Sequence, residues 1–356
     1  MSKDAKDGAP LEEFVTIAVK YSLAAEQELP RTGPGAKPTI PDWVLAVMVA
    51  VGVLLRKKAK NAQHIWWCSH REEFQRWFPG QPFPARTTFY DRYRRIWILF
   101  QKAIELQGRD AVDKGWANAK VVAVDKSLIA GRGRAWAPRD RRRKHIPKRV
   151  DPDTTWSYST HDSWVQGYSF ETVVTASASG TCWPLAASCD TASRSEQKSC
   201  LSKFDRLPHQ TTHVLADAGY DSNAVAESVE RRDDGRRTGR RFLCPEVPRS
   251  NIGKPRQQKS RQSHERQRHR QWREQRRAYL HSTVGRSLYA RRKTTVEPFN
   301  SHLKLLFDLE DRVWHWRLDN NRSMVLAAIF AYQTLLTFNY RRHKRNRCIK
   351  CILDRL

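Results

Sequence analysis

The chain has 356 residues, 39% of them hydrophobic, which is enough to fold around one large core or two smaller ones and excludes a disordered polymer. Lys and Arg number 65 against 37 Asp and Glu, so the formal net charge is +28. A protein this basic repels itself unless anions offset the charge, which favours a nucleic-acid partner over a composition that only maintains solubility.

The amino-terminal region is predicted to be helical. Periodic apolar residues indicate helices over Leu11–Leu29 and Asp42–Leu55, separated by the Pro- and Gly-rich linker Pro30–Pro41, and a third over Asn61–Phe78. The apolar run Trp43–Leu55 is shorter than the roughly 20 residues that cross a bilayer, so it predicts a buried helix and no membrane partner. The chain opens with polar residues instead of a signal peptide, and we therefore expect a cytoplasmic, nucleoid-associated protein.

The next predicted helix has one apolar and one basic face. Thr87 or Thr88 can cap it, and its apolar positions run from Phe89 to Ile104 at helical spacing. A basic face is what a helix needs to contact phosphates and bases in a DNA groove, although a solvated basic face would have the same pattern. The candidate DNA-binding side chains on this face are Arg86, Arg92, Arg94 and Arg95.

From Val121 the pattern changes to short runs rich in β-forming residues, which predicts a mixed α/β domain. Two Arg- and Lys-rich segments interrupt it: Gly131–Arg149, predicted as a surface loop, and Arg231–Arg277, whose part from Gln257 is predicted to be disordered or a solvated helix. A buried closing helix is predicted over Arg322–Arg341. The predicted strands are Val121–Asp125, Tyr168–Ser177, Trp183–Ala187 and His213–Asp217.

Three acidic residues are candidates for catalysis and metal binding. Asp125 and Asp217 each end a predicted buried strand, where side chains of adjacent strands can converge. Glu297 lies on a predicted helix, with Lys304 two turns further along the same face. Converging carboxylates suit two hard divalent cations, which activate a water or a 3′-hydroxyl and stabilise the leaving oxygen in an in-line displacement.

Each acid also has a structural alternative, because an Asp after a strand is often a turn or helix cap and a helical Glu beside Lys is often a surface ion pair. Other acids compete for the metal role, and Asp190 is the strongest of them. The remaining competitors are Asp140, Asp151, Asp153 and Asp162.

Three sequence words carry a resemblance to a known family: Ala-Val-Asp-Lys-Ser, Leu-Ala-Asp-Ala-Gly-Tyr-Asp-Ser and Thr-Val-Glu-Pro-Phe-Asn-Ser-His-Leu-Lys. In this order they resemble the DDE transposases of bacterial insertion sequences. The resemblance implies an α/β fold, an RNase H-like mixed sheet flanked by helices, preceded by an all-α DNA-binding region. The implied domains are 1–119 for the helical region, 120–342 for the catalytic domain with a basic insertion at about 231–280, and 343–356 for a basic tail.

The resemblance also implies functions for residues near the third acid. Lys293 and Lys304 would hold phosphates of the transposon end, and Arg291 and Arg292 would share that role. Lys293 stands where one branch of the family has Arg, and Thr294 replaces an aromatic residue that stacks on a flipped base in some members. The implied cofactors are two Mg²⁺ or Mn²⁺ ions, and the implied partners are double-stranded transposon ends, target DNA and a second copy of the chain bound on DNA.

Two alternative functions remain open at this point. A domesticated DNA-binding protein would keep the fold without catalysis, and a nonspecific nucleic-acid packaging protein would explain the charge but not the three acids. The Cys348 and Cys351 pair, with His343 nearby, matches half of a zinc motif and lacks a second pair. Trp314, His315 and Trp316 fit a core better than a base-stacking surface.

Overall fold

The computed structural model describes residues 11–30, 38–136, 149–160, 162–178, 182–231, 237–246, 264–342 and 348–356, with the backbone alone for 264–268. Asp140, His343, residues 137–148 of the first predicted basic segment, and residues 232–236 and 247–263 of the second lie outside these residues. No described helix is both long and apolar enough to cross a membrane.

The predicted amino-terminal helices are present. Helices α1 (Leu11–Glu28) and α2 (Asp42–Leu54) confirm the first two predictions. The third predicted helix is divided into α3 (Lys60–Ser69) and α4 (Arg71–Trp77), because the backbone leaves the helical region at His70, where φ is −119° and ψ is 45°.

The predicted basic helix is likewise two helices, α5 (Arg86–Tyr93) and α6 (Trp97–Asp113). Between them the amides bond three residues back instead of four, from Arg95 N to Arg92 O at 3.1 Å and from Ile98 N to Arg95 O at 3.4 Å. This tighter turn separates the two helices although neither Gly nor Pro is present.

A mixed sheet forms the centre of the molecule. Its described strands stand in the order β4, β3, β1, β5, β6, and β2 pairs with the first part of β3. The pairs β1 with β3 and β3 with β4 are antiparallel, whereas β5 is parallel to both β1 and β6. The sheet has the RNase H-like arrangement that the resemblance implies. The strands are β1 (Val121–Ala130), β2 (Thr155–Ser159), β3 (Ser163–Thr175), β4 (Pro184–Thr191), β5 (His213–Leu215) and β6 (Arg241–Leu243).

Helices cover the sheet, and among the described helices the closing helix α12 (Leu318–Arg341) contributes the most buried residues. It packs against α1, α2, α6 and β4, so the amino-terminal helices and the sheet share one continuous hydrophobic core. The proposed boundary at residue 119 stays a prediction. The other helices are α7 (Glu196–Ser199), α8 (Leu201–Phe204), α9 (Asn223–Glu230), α10 (His264–His281), α11 (Thr283–Leu306) and α13 (Ile349–Leu353).

The described part of the predicted basic insertion is anchored to the fold. Helix α10 occupies its second half, and Trp272 Nε1 donates a hydrogen bond to Glu230 Oε2 at 2.6 Å. Arg273 forms an ion pair with Asp221 at 3.1 Å. Of the two predictions for Gln257–Arg277, a helix is therefore the correct one from His264 onward.

Candidate active site

Asp125 lies in the middle of strand β1, opposite Thr172 of β3. The prediction that Asp125 ends its strand is wrong. Strand β1 continues to Ala130 because β3 is long enough to pair with all of it, through Ala130 opposite Gly167. The Asp125 side chain is 15% exposed, so its carboxylate is close to the surface of the sheet but largely removed from water.

Two side chains of α11 hold the Asp125 carboxylate. Arg292 Nη1 lies 3.2 Å from Oδ1, and Asn300 Nδ2 donates to Oδ2 at 3.0 Å. Asn300 is buried and its own oxygen accepts a hydrogen bond from Thr172 Oγ1 at 3.3 Å, which fixes the orientation of the amide. Helix α11 is thereby positioned over the centre of the sheet.

Glu297 is brought next to Asp125 through the same arginine. Arg292 Nη2 lies 2.9 Å from Glu297 Oε1, so one guanidinium contacts a carboxylate of the sheet and a carboxylate of the helix. Arg292 is 13% exposed, whereas Glu297 is 45% exposed. The inward position of Arg292 differs from the predicted phosphate-facing one, because these carboxylates attract it.

Asp217 follows β5, the parallel neighbour of β1, by two residues. Its Oδ1 accepts a hydrogen bond from Gly219 N at 2.9 Å and caps the short 3₁₀ turn Ala218–Tyr220. Asp217 is therefore a cap, which was its structural alternative. Capping uses only one carboxylate oxygen, and the side chain is only partly buried, so the other oxygen could still bind an ion.

The carboxylates are close enough to affect one another's ionisation. Burial raises the pKa of Asp125 to about 7, the Arg292 charge opposes this shift, and the charges of Asp217, Glu297 and Glu196 add to it. A carboxyl group whose pKa is raised by burial and by like charges is typical of a functional site, although ion-pair networks produce similar shifts.

Glu196 is a fourth acid in this cluster, and the sequence analysis missed it. Burial and the charge of Asp217 raise its pKa to about 7, while Lys126, whose Nζ lies 3.8 Å from Glu196 Oε1, acts in the opposite direction. Glu196 lies at the start of the short helix α7, five residues after the end of β4, and stands in none of the three sequence words. The Ser-x-x-x-Ser surroundings carried no signal that could have singled it out.

The predicted phosphate-binding cations of α11 occupy different environments. Lys293 is exposed and Arg291 is half-buried. Lys304 is half-buried, and burial lowers its pKa although Asp162, Asp125 and Glu310 all act to raise it. Lys304 thus lies within electrostatic reach of Asp125.

Of the four arginines predicted to form a basic face on the helix before the sheet, three are exposed to solvent. Arg86, Arg94 and Arg95 are exposed. Arg92 is wrongly placed on this face, because its side chain is buried and its guanidinium donates to the Asp42 carboxylate and to the Ile40 carbonyl. Arg92 therefore links α5 to the start of α2, and the prediction that it contacts DNA is wrong.

The competing acids have structural partners in the described residues. Asp190 Oδ2 lies 3.4 Å from Arg322 Nη2 of α12. Asp151 is buried and accepts hydrogen bonds from Tyr168 OH at 2.6 Å and Arg317 N at 3.0 Å. Asp153 accepts from Leu318 N at 2.9 Å at the start of α12, and Asp162 is exposed in a turn.

Among the described residues, no three His, Cys, Asp or Glu side chains form a group ready to hold a metal ion. At Asp125 and Glu297 the Arg292 guanidinium takes the position between the two carboxylates. Cys348 and Cys351 are both exposed thiols, and His343 lies outside the described residues. Trp314 and His315 are buried, as predicted for a core segment.

Comparisons with known proteins identify the family. No curated protein matches the chain. A solved structure, the cryo-EM synaptic complex of piggyBac transposase with hairpin DNA, is similar at 11% identity and a TM-score of 0.42, over 98% of this chain and 79% of that one. The family described as Transposase DDE domain matches residues 116–333, which is more than half of the chain. On that match, the chain belongs to the DDE transposase family.

Proposed function

We propose that this protein binds the terminal inverted repeats of its own element and catalyses metal-dependent DNA cleavage and strand transfer. Asp125, Asp217 and Glu297 are the proposed catalytic and metal-binding residues. One observation supports the proposal most strongly. Arg292 contacts both the Asp125 carboxylate of β1 and the Glu297 carboxylate of α11, and Asp217 is close enough for its charge to raise the pKa of Asp125.

The donor chemistry of the cluster fits the proposed ions. Carboxylate oxygens are the ligands that Mg²⁺ and Mn²⁺ prefer. The negative charges of the acids repel one another, and a cation bound between them would offset that repulsion. Arg292 already supplies a positive charge there, which supports the same conclusion. When bound, two such ions would activate the attacking oxygen and stabilise the leaving oxygen of a phosphodiester.

The residues of the chain would prepare the site and hold the DNA. Asn300 fixes the orientation of Asp125 through its buried amide. Lys293 and Lys304 lie on the face of α11 that carries Glu297, and we assign them, together with Arg291, to phosphates of the transposon end. Positive groups near the reacting phosphate stabilise the charge that develops in phosphoryl transfer.

The proposed DNA contacts extend beyond the active site. Arg86, Arg94 and Arg95 would contact phosphates from the helical region, which the net charge of +28 supports. Transposition joins two DNA ends, so we propose that two copies of the chain assemble on DNA. The division into residues 1–119, 120–342 and 343–356 belongs to this proposal.

One observation favours a second candidate, a DNA-binding protein of the same fold without catalysis. Arg292 neutralises Asp125 and Glu297, and a protein that never binds metal would keep this ion pair permanently. The two candidates differ in cleavage but not in DNA binding.

The test is cleavage of duplex DNA that carries the ends of the element, in Mg²⁺ or Mn²⁺, by the intact protein and by Asp217→Ala and Glu297→Ala. We expect cleavage to fall by at least about a thousandfold in both variants while DNA binding is retained. Asp205→Ala, which removes an exposed carboxylate outside the cluster, is the matched control and should cleave normally. Cleavage that survives in both variants would refute the assignment, and binding without any cleavage would favour the second candidate.

A further inference from the structure

An aromatic surface lies on the hairpin formed by β2 and β3, outside the carboxylate cluster. Tyr158 and Trp164 are directly opposite each other across the two strands, with ring centroids 5.6 Å apart at 64°. They are 58% and 65% exposed, which is unusual for two large rings in contact. Trp156 lies two residues before Tyr158 and therefore on the same face of the hairpin.

A groove runs between this face and the end of strand β1. It encloses about 250 Å³, below the range of roughly 300–1,000 Å³ for sites that hold drug-sized ligands, so it suits a small planar group. Trp156 and Trp164 line one side of it. Its described lining also contains Arg132, Arg134 and Arg312, and no carboxylate.

The arginines make the groove suitable for an anionic ligand. All three are exposed, and Arg132 is held by a hydrogen bond from its Nη1 to Trp314 O at 2.9 Å. Val313 N donates to Ala130 O at 2.9 Å, which fixes the segment carrying Arg312 against the end of β1. Aromatic faces beside arginines are the combination that binds unpaired nucleotides, since bases stack on the rings and phosphates pair with the cations.

The position of the groove relative to the carboxylate cluster supports the same ligand. Ala130 lines the groove and lies five residues beyond Asp125 on one extended strand, a distance of about 17 Å. One DNA strand advances about 3.4 Å per nucleotide, so about five nucleotides span that distance. Lys304 lies within electrostatic reach of both Asp125 and Asp162 of the hairpin turn, which brings the hairpin close to α11.

We propose that this groove, which we call the hairpin groove, binds an unpaired nucleotide of the DNA substrate, with its base stacked on Trp164. The proposal rests on the DNA binding in the proposed function and adds a contact about five nucleotides from the reacting phosphate. Tyr158 packs against Trp164 and holds the indole in place, and Arg132 and Arg312 bind the adjacent phosphates.

The experiment measures DNA binding by the intact protein in EDTA, so that cleavage plays no part. The probes are two duplexes that differ in one position, an unpaired 2-aminopurine in the first and a paired one in the second. We expect tighter binding and strong quenching of fluorescence for the unpaired probe. Trp164→Ala should weaken binding of that probe by about tenfold or more, abolish the quenching and leave binding of the paired probe unchanged.

Two further variants make the result specific. Trp164→Phe keeps an aromatic ring and should retain most of the preference for the unpaired probe. Ile98→Ala removes another exposed apolar side chain, 44% exposed and outside the groove, and should change neither probe. Because Trp164 is largely exposed, the melting temperature of each variant should match that of the unsubstituted protein.

Three results would overturn the proposal. Equal binding of both probes by the unsubstituted protein would mean that unpaired nucleotides are not recognised. If Trp164→Ala weakened binding of both probes equally, the hairpin would contact DNA without distinguishing unpaired from paired nucleotides. Loss of self-association in Trp164→Ala, with DNA binding unchanged, would make the surface a contact between copies of the chain. Failure of the proposed function appears separately, as absence of cleavage in Mg²⁺.

Discussion

Arg292 Nη2 lies 2.9 Å from Glu297 Oε1, five residues further along the same helix, and its Nη1 lies 3.2 Å from Asp125 on the sheet. The guanidinium therefore holds two proposed metal ligands together without metal. A cation that binds the carboxylate oxygens now in contact with Arg292 would compete with this guanidinium. Metal binding and the position of Arg292 are linked in this arrangement.

The first prediction concerns Arg292→Gln. In EDTA the variant should lose about 1–3 kcal/mol of stability, because Asp125 keeps its burial but loses its charged partner. Mg²⁺ should raise the melting temperature of the variant more than that of the unsubstituted protein, since no side chain competes with the ion. Thermal melts with and without Mg²⁺ measure both effects.

The control for this prediction is Arg291→Gln, which removes the neighbouring, half-buried arginine of α11 and leaves Arg292 in place. It should show the stability and the Mg²⁺ response of the unsubstituted protein. If Arg292→Gln and Arg291→Gln respond identically to Mg²⁺, Arg292 does not compete with metal.

A second prediction follows from the ionisation of Asp125. Burial, opposed by Arg292, raises its pKa from 3.8 to about 7 in the folded state. Between these values the folded state keeps a proton that the unfolded state releases, so the contribution of Asp125 to stability declines as the pH rises from about 4 to about 7. Glu196, with a pKa of about 7, acts in the same direction.

Melting temperatures of Asp125→Asn between pH 4 and pH 7, in EDTA, measure this contribution. We expect the variant to gain stability relative to the unsubstituted protein as the pH rises through this range. Asp205→Asn changes an exposed carboxylate and should follow the unsubstituted protein at every pH. Parallel curves for Asp125→Asn and the unsubstituted protein would show that Asp125 is ionised like an ordinary surface acid.

A third prediction separates Arg92 from the exposed arginines of the same region. Replacing Arg86, Arg94 and Arg95 by Ala should weaken DNA binding and reduce the slope of log K against log salt concentration by about 0.9 for each phosphate that the variant no longer neutralises. The fold should be unaffected because the three side chains are exposed. DNA-binding titrations at several salt concentrations give the slope.

Arg92→Ala is the matched variant for this experiment. It should lower the melting temperature, because the buried guanidinium is paired with Asp42, and leave the salt dependence of DNA binding unchanged. If the triple variant keeps the same slope of log K against log salt concentration as the unsubstituted protein, these three arginines do not contact DNA.

Sequence patterns predicted the elements whose residues repeat at a clear period. The buried run of α2 was predicted to within one residue, and the closing helix α12 was predicted to begin four residues late, at Arg322 instead of Leu318. The strand β5 was predicted to end at Asp217, two residues beyond its end at Leu215. The end of β1 was missed, because its continuation to Ala130 depends on the pairing partner β3 and not on its own residues. The turn between α5 and α6 was missed for a similar reason, since no Gly or Pro marks it.

The candidate site was predictable only in part. Asp125, Asp217 and Glu297 stand in recognisable sequence words, whereas Glu196 stands in none and enters the cluster through the fold. Arg92 and Arg292 show the limit for charged residues. Each lies in a basic sequence, yet each turns inward to a carboxylate that is distant in sequence, Asp42 for Arg92 and Asp125 for Arg292.

The measurement that tests metal binding by the cluster most directly is a change of metal preference in Asp217→Cys. A thiolate binds the hard ion Mg²⁺ poorly and softer divalent ions better. We expect Asp217→Cys to cleave end-bearing DNA in Mn²⁺ but not in Mg²⁺, while Asp205→Cys cleaves in both. Full cleavage by Asp217→Cys in Mg²⁺ would show that Asp217 does not hold the catalytic metal.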